Sequence, residues 1–404
     1  MTRPELDAIV VGAGVGGAAL ALALARAGAR VLLVERRAGP GNINRGDSVL
    51  PAVTRHLEAW GVLDRFYQAG AAPVAKMQVF HAERGFLMEA PLADPAGHPY
   101  VVLAHPEIER ALTEGGRATG RVEVRYLTKV TQLLYDDGRV IGAELCDREG
   151  RDGRTWLCTA RLVIGADGSS SVVRQKLDIA FPTQPYSTGY YIIDFERPAA
   201  YEDAMRLHLH RDGGIMLMPQ GPGVVGAAVL VHPREADLFR AGPLEEKAAA
   251  IRRRCRLLEG CAPLPRHAHL YPLSRGHAAR YFARGAALIG DAVHVTNPTA
   301  GQGMTMAVED AAALARHVAP VLAEGAAAID AALLAYQRER RPANASLLRW
   351  SHVMGGFFSM QGALGDRLRA SVFAFGQTVT GQWIQRQVWG RVATRPPAMQ
   401  EVRA

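Results

Sequence analysis

A glycine-rich turn close to the N-terminus constrains the fold of this chain more than any other feature. The β-branched run at 7–12, DAIVVG, leads into GAGVGG at 12–17, and an Ala/Leu-rich segment follows as far as Gly28. A second apolar run, VLLVE, comes at 31–35. Strand, helix and strand within about thirty residues form a βαβ unit, which requires a parallel sheet. The sequence therefore predicts an α/β fold.

The glycine spacing in this turn predicts a dinucleotide site. Gly12 permits the tight turn, Gly14 lets the backbone approach a pyrophosphate, and Gly17 lets the helix pack close to the strand. Glu35 ends the second strand, where a carboxylate can bind ribose hydroxyls. Arg36 beside it is a further candidate contact. The alternative is a tight turn without a ligand, and the motif alone does not separate NAD from FAD.

Two later motifs also follow predicted strands. GADGSSSVVR at 165–174 comes after RLVI, and GDAVHVTNPTAGQGM at 290–304 comes after the apolar run at 286–289. Asp291 is placed to accept hydrogen bonds from a sugar-alcohol chain, and the amides at 301–303 begin a predicted helix that can face a carbonyl or an anion. Taken alone, each motif is more often a turn or a helix entry than a binding site.

Together, the three motifs in this order resemble the flavin monooxygenases of the p-hydroxybenzoate hydroxylase type, over residues 7 to about 345. The resemblance implies that GAGVGG and Glu35 bind the ADP half of FAD. It places Asp167 near the pyrophosphate, Asp291 on the ribityl chain and Pro298 beside the isoalloxazine. The amides at 301–304 would face the pyrimidine edge of the ring.

Some positions agree with the family less closely. Arg45, in NINRGDSV, matches an arginine that commonly contacts an FAD phosphate, with an exposed loop arginine as the alternative. His105 stands where the family often has Arg or Gln, and Asn297 stands where it often has a first proline. The full set of expected cofactor contacts is Gly12, Gly14, Gly17, Glu35, Arg36, Arg45, His105, Asp167, Asp291, Pro298, Gly301, Gly303 and Met304.

The resemblance also implies an activity. NAD(P)H as co-substrate would reduce FAD, dioxygen would give a C4a-hydroperoxyflavin, and this species would hydroxylate an aromatic ring such as a phenol, a quinone or a polyketide-like compound. A second nucleotide fingerprint is absent, as is general in the family, and no metal is expected. Two alternatives remain: a flavin-dependent reductase or dehydrogenase on the same scaffold, and a flavoprotein that binds an intermediate without turnover.

The sequence pattern changes between 190 and 231, where alternating apolar residues predict antiparallel strands. The expected architecture is a discontinuous Rossmann-like FAD-binding domain with an inserted antiparallel-sheet substrate domain and a helical C-terminal region. The FAD-binding domain takes 1–75, 100–180 and 275–345. The substrate domain takes 76–99 and 181–274. The helical region at 346–404, with a break near 355–356, would cap the site or form a dimer face, with an amphipathic helix that touches a membrane as a further alternative.

Side chains of the inserted sheet are the expected substrate contacts. His208 and His210 alternate on one face of RLHLH, and Met216 and Met218 do so in GIMLMP. A histidine with an ordinary pKa of about 6.5 can deprotonate a phenol, so both are predicted catalytic residues together with Pro298. The alternative for the histidines is a solvated strand edge. Tyr191 and the two methionines are predicted substrate contacts, with core packing as the alternative.

Charge and cysteine content narrow the class of protein. The net charge of +8 is spread along the chain, and the densest basic runs, RRRCR at 252–256 and RERR at 338–341, are expected to be solvated helix faces. Nucleic acid is therefore not an expected partner. The four cysteines form no CxxC pair, which favours free thiols in a reducing cytoplasm. No unbroken apolar run reaches about eighteen residues, so no membrane anchor is expected. The protein would be a monomer or a homodimer.

Overall fold

The computed structural model describes residues 6–41, 48–147, 153–376 and 378. The strands are β1 Leu6–Val11, β2 Val31–Val34, β3 Ser48–Val49, β4 Ala72–Pro73, β5 Lys76–His81, β6 Gly85–Pro91, β7 Val101–Val102, β8 Val122–Arg125, β9 Thr128–Asp136, β10 Arg139–Asp147, β11 Thr155–Gly165, β12 Thr183–Glu196, β13 Met205–Leu209, β14 Ile215–Pro219, β15 Val224–Val231, β16 Pro263–His277, β17 Phe282–Ala283, β18 Ala286–Leu288 and β19 His294–Val295. The helices are α1 Val15–Arg26, α2 Pro51–Ala59, α3 Leu63–Gln68, α4 His105–Arg117, α5 Val172–Lys176, α6 Ala236–Ala241, α7 Leu244–Arg254, α8 Gln302–Val318, α9 Ala326–Phe358 and α10 Gly362–Phe375.

The first sheet has a parallel centre in the order β18-β11-β1-β2-β8, with β17 antiparallel at one edge. β2 and β18 are buried along their whole length, as expected for strands covered by helices on both faces. α1 packs against both α4 and α8 beside this sheet. Its strands come from widely separated parts of the chain, so one nucleotide-type sheet is assembled from discontinuous pieces. The predicted fold class is confirmed.

The second sheet runs in the order β19-β16-β12-β15-β14-β13-β5-β6. Its pairs are antiparallel except β13 with β5, which is parallel. β5 comes from the first inserted stretch and β13 from the second, and a crossover between distant segments has no hairpin to force antiparallel pairing. β19 lies inside the third motif and therefore connects that motif directly to the inserted sheet.

The expected helix break near 355–356 is wrong. α9 continues through both glycines to Phe358, and the chain turns only before α10 begins at Gly362. Gly355 packs against the side chain of Asn297, and a Cβ atom on it would lie 2.5 Å from Asn297 Nδ2. Glycine is needed here because two segments approach closely, and it does not mark a turn. Among the described residues, no helix is long and apolar enough to cross a membrane.

Candidate functional site

The first motif forms the turn that its glycine spacing predicts. Gly12 has a φ of +102°, and a Cβ atom on it would overlap the Ala166 carbonyl oxygen. A Cβ atom on Gly17 would overlap the Gly12 carbonyl oxygen. At Gly14 the nearest atom to such a Cβ is Glu109 Oε1, at 3.8 Å. Gly12 and Gly17 are therefore required by the protein's own backbone, whereas the space at Gly14 is open to a ligand.

The N-terminus of α1 faces this open space. No acidic residue lies in the first turn of α1, so its backbone N–H groups and helix dipole favour an anion. The space beside Gly14 and these N–H groups together have the form and the charge preference that a dinucleotide pyrophosphate needs. The described residues of the first motif thus fit the adenine-dinucleotide half of a cofactor.

Glu35 lies at the end of β2, against the first motif. Its Oε2 accepts a hydrogen bond from the Ala13 amide at 2.9 Å, and its Oε1 accepts one from the Arg37 amide at 2.9 Å. Arg37 also forms an ion pair with Glu35, with Nε 3.0 Å from Oε1. Arg36 is exposed. The arginine that contacts Glu35 is therefore Arg37, which the sequence analysis did not select.

Glu109 is a second buried carboxylate at this end of the site, and the sequence analysis also missed it. Its Oε2 accepts a hydrogen bond from the Gly41 amide at 2.8 Å and lies 3.2 Å from Arg37 Nη1. His105, the first residue of α4, has its Nε2 3.5 Å from Glu109 Oε1. Burial raises the pKa of Glu109, but His105, the Gly41 amide and Arg37 lower it by more. The available signal was the i, i+4 spacing of His105 and Glu109.

The second motif is held by its own hydrogen bonds. Asp167 accepts hydrogen bonds from the Ser171 hydroxyl and from the amides of Val172, at 2.7 Å, and Val173, at 3.2 Å. The carboxylate therefore caps the N-terminus of α5. Ala166, in the same motif, donates its amide proton to the Val11 carbonyl at 2.8 Å. The structure thus brings the second motif against the first, and cofactor contact by Asp167 stays a prediction. Arg45 lies outside the described residues.

The third motif begins with a tight turn after β18. Gly290 has a φ of +59°, and the exposed Asp291 follows it in a 3₁₀ turn. The buried Asp310 of α8 holds this turn in place, because its Oδ2 accepts a hydrogen bond from the Gly290 amide at 3.2 Å. Asp310 also contacts His294, with Nε2 2.7 Å from Oδ2, and Arg340 of α9, with Nε 2.8 Å from Oδ1. His294, which had no role in the sequence analysis, thus belongs to a buried network that joins the motif to α8 and α9.

The loop that follows leads into α8. Asn297 is buried, and its Oδ1 accepts a hydrogen bond from the Thr299 amide at 3.0 Å, which caps the 3₁₀ turn Pro298–Ala300. Pro298 itself is exposed. Gly301 has a φ of +64° and precedes α8, whose first turn carries no acidic residue. Gly303 and Met304 in that first turn are half-buried. These backbone N–H groups form a second helix N-terminus suited to a polar ring edge or an anion.

One face of the second sheet lies against this loop. The Tyr190 hydroxyl is 3.1 Å from Thr299 Oγ1. β12, β15 and β14 are paired so that Tyr190, Met216 and Met218 share this face. The sulfur of Met218 also accepts a hydrogen bond from the Ser48 hydroxyl, at 3.7 Å. We call this surface, which carries Tyr190, Met216 and Met218, the methionine face. Because it lies against the loop of the third motif, Met216 and Met218 remain candidate substrate contacts.

Tyr191 and His208 do not share the methionine face, and His210 lies beyond the end of β13. The substrate and catalytic roles of these three residues stay predictions. Tyr191 points to the opposite side and packs on Phe239 of α6, with ring centroids 5.1 Å apart. His208 pairs with Ile215, whereas Leu207 pairs with Met216. Successive side chains of a strand point to opposite faces, so the even-numbered residues of β13 lie with Tyr191. We call this side the helix-covered face. Burial and the neighbouring Arg206 also lower the pKa of His208 to about 4.

Comparison with known proteins agrees with this arrangement. The model of a family described as FAD binding domain matches residues 5–351. The chain is 30% identical over 313 residues to a rifampicin monooxygenase of Streptomyces venezuelae, covering 76% of this chain but only 62% of that relative. It is 29% identical over 384 residues to a 3-hydroxybenzoate 6-hydroxylase of Klebsiella oxytoca, covering 88% of this chain and 90% of the relative.

A similar protein of known structure is PqsL of P. aeruginosa in complex with 2-aminobenzoylacetate. The two chains superpose with a TM-score of 0.77 at 27% identity, over 91% of this chain and 99% of PqsL. The likeness extends across both sheets, since nearly the whole of PqsL is covered.

Proposed function

Because the chain belongs to the p-hydroxybenzoate hydroxylase-type family of FAD-dependent monooxygenases, we propose that it hydroxylates an aromatic small molecule, using bound FAD, NAD(P)H and dioxygen. The contact between Tyr190 and Thr299 carries this proposal, because it brings the third motif against the methionine face. A planar substrate between these two surfaces would lie beside the loop that the family uses for its flavin ring.

The proposed cofactor site has two ends. Gly14, the N-terminus of α1 and Glu35 would hold the ADP half of FAD, with His105 nearby. Asp291 would bind the ribityl chain, and the amides at 301–304 would face the ring. FAD, reduced by NAD(P)H, supplies the activation of dioxygen. The chain's own tasks are then to bind and orient the substrate and to exclude water.

The residues of the methionine face suit those tasks. Met218 packs with Tyr100 and Val102 in an apolar cluster beside the loop, and methionine adapts to flat ring surfaces. Burial raises the pKa of Tyr190, so its hydroxyl keeps its proton at neutral pH and can donate a hydrogen bond. We propose that Tyr190 orients a substrate oxygen and keeps the Thr299 loop in place.

The substrate class is proposed from the named relatives. One is named for 3-hydroxybenzoate, and the PqsL structure contains 2-aminobenzoylacetate. Both compounds combine an aromatic ring with a carboxylate. We propose small aromatic acids and phenols as the first substrates to test, before quinones and polyketide-like rings.

The test is turnover by the purified, FAD-loaded protein with a panel of hydroxybenzoates and other phenols. We expect substrate-stimulated NAD(P)H oxidation, matching oxygen uptake and a product that is one oxygen atom heavier. A reduced product without oxygen uptake would replace this proposal with a reductase. FAD binding without turnover across the panel would favour a non-catalytic flavoprotein. A protein that cannot be loaded with FAD would rule out all three functions.

A further inference from the structure

A cavity lies where two motifs outside the proposed flavin site meet. Its volume is about 300 Å³. His208 of β13 and His210, which directly follows this strand, line part of it. Arg253 and Arg256, from the basic run RRRCR, line another side. His208 belongs to the helix-covered face, whereas His81 pairs with Leu209 and lies on the other side, so the cavity sits at the end of β5 and β13. Its lining includes no residue of the third motif and none of Tyr190, Met216 and Met218.

The cavity carries unpaired positive charge. Arg211, Arg253 and Arg256 are exposed at its edge, and none of them forms an ion pair with any described residue. Arg254 differs, because its guanidinium is buried and contacts Glu235. A cluster of guanidinium groups without carboxylate partners favours an anionic ligand, since arginine matches carboxylate and phosphate oxygens in both charge and shape.

Two acidic residues also line the cavity, but they do not cancel this charge. The Asp366 carboxylate is engaged by His81, with Nε2 3.0 Å from Oδ2, and by Arg369, with Nη2 3.5 Å from Oδ1. Glu83 is exposed at the end of the β5–β6 hairpin. Within the described part of the chain, three arginines without an ion pair thus line the cavity together with one glutamate without an ion pair.

The two histidines add neutral hydrogen-bonding groups. The Asp212 amide donates to His210 Nδ1 at 3.0 Å, so the neutral ring of His210 carries its proton on Nε2 and can donate it to a ligand. His208 Nε2 is buried and has no hydrogen-bond partner among the described residues. A buried polar atom without a partner is costly, and a ligand with a polar group would satisfy it.

We propose that this cavity binds a small molecule through an oxyanion, either a carboxylate or a phosphate group, at a site separate from the flavin. Arg253 and Arg256 would supply the charge, and His210 would supply a directed hydrogen bond. The volume admits a small organic acid or a phosphate ester. Such binding is independent of the reaction proposed above, because the cavity shares no lining residue with the proposed flavin and substrate site.

Calorimetric titration of the FAD-saturated protein with sodium phosphate and, separately, with sodium succinate tests the proposal. FAD saturation keeps both probes away from the phosphate-binding turn at Gly14. We expect saturable binding of at least one probe, and the stronger probe identifies a phosphate or a carboxylate ligand. Arg253→Ala and Arg256→Ala should each weaken this binding by about fivefold or more, and Arg256→Glu should abolish it.

Arg240→Ala is the matched control, because Arg240 is an exposed arginine of α6 that pairs with Asp237 and does not line the cavity. Its affinity for either probe should equal that of the unchanged protein. The proposal is overturned if neither probe binds saturably, if the cavity variants bind as well as the unchanged protein, or if the control loses as much affinity as they do. If FAD does not bind, the same titrations are made on the apoprotein, and loss of probe binding in the Arg253 and Arg256 variants still assigns the bound anion to this cavity.

Discussion

His294 and Asp310 meet inside the protein, with His294 Nε2 2.7 Å from Asp310 Oδ2 and both side chains fully buried. Asp310 also accepts hydrogen bonds from the Gly290 amide, from Arg340 and from Asn344. One carboxylate therefore holds the third motif, α8 and α9 together. This arrangement gives the histidine that follows the GDA turn a structural role.

Asp310→Asn should destabilise the protein by about 3 kcal/mol, because it removes the nearer of the two carboxylates around the buried guanidinium of Arg340 and leaves only Glu309, at 3.9 Å. Chemical denaturation measures this change. Asp237→Asn is the control, since Asp237 is almost fully exposed, and it should change the free energy of unfolding by less than about 0.5 kcal/mol. A loss below about 1 kcal/mol for Asp310→Asn would contradict the role assigned to the network.

The same carboxylate should make stability depend on acid pH. Burial raises the pKa of Asp310, but His294 and Arg340 lower it further, to about 2. Since the folded pKa lies below the unfolded value of about 3.9, the contribution is present above pH 3.9 and is lost as the pH falls through about 2. We expect a loss of about 2–3 kcal/mol across this window that is absent from Asp310→Asn. Parallel pH curves for the two proteins would refute this.

Gly14→Ala should weaken FAD binding by about tenfold or more without unfolding the protein, because its Cβ atom enters the open space left for the ligand. Gly17→Ala should instead destabilise the apoprotein by at least about 1–3 kcal/mol, because its Cβ atom overlaps the Gly12 carbonyl oxygen. Flavin fluorescence titration and thermal denaturation of the apoproteins separate the two effects. Equal melting temperatures for the two variants would count against this division of roles.

Asp291→Ala should lower FAD affinity by about 1–3 kcal/mol through lost hydrogen bonds to the ribityl chain. Asp291 is exposed on a surface turn, so the apoprotein should keep its stability. Asp203→Ala, at an exposed loop aspartate that pairs with Arg197, should leave FAD affinity unchanged. Unaltered FAD affinity in Asp291→Ala would remove this residue from the cofactor site.

Tyr190→Phe and Tyr191→Phe form a matched pair on adjacent residues with opposite orientations. Tyr190→Phe loses the hydroxyl that contacts Thr299, and we expect about five- to tenfold less product per NAD(P)H oxidised. Tyr191→Phe should leave this ratio unchanged, because Tyr191 packs on Phe239 beneath α6. The ratio of product to NAD(P)H is the measurement, and equal ratios for the two variants would refute the assignment of faces.

Gly355→Ala and Gly356→Ala test why α9 passes through two glycines. A Cβ atom on Gly355 would lie 2.5 Å from Asn297 Nδ2, so this variant should lose about 1–3 kcal/mol of stability. Nothing lies within 4 Å of a Cβ on Gly356, and alanine there should stabilise the helix by up to about 1 kcal/mol. Denaturant unfolding of both variants gives the comparison, and a destabilised Gly356→Ala would contradict it.

Much of the fold could be predicted from residues that lie close together in the sequence. The tight turn needs glycine at Gly12 and Gly17, and both glycines lie in one short stretch of sequence. The buried strands β1, β2 and β18 are short apolar runs. The two later motifs follow strands in the same way. These features depend on residues close together in the chain, so the sequence alone determined the parallel sheet, its discontinuous assembly and the family.

Contacts between distant segments were decided only by the tertiary structure. Alternation in β13 placed Leu207 and His208 on opposite faces, but only the pairing with β14 placed His208 on the side opposite Met216. The pairing of Asp310 with His294, and of Glu109 with Arg37, likewise depends on how helices pack. The alternation of residues along a strand shows which side chains share a face of the sheet. It does not show which segment covers that face, because the covering segment is far away in the chain and is brought there only by packing.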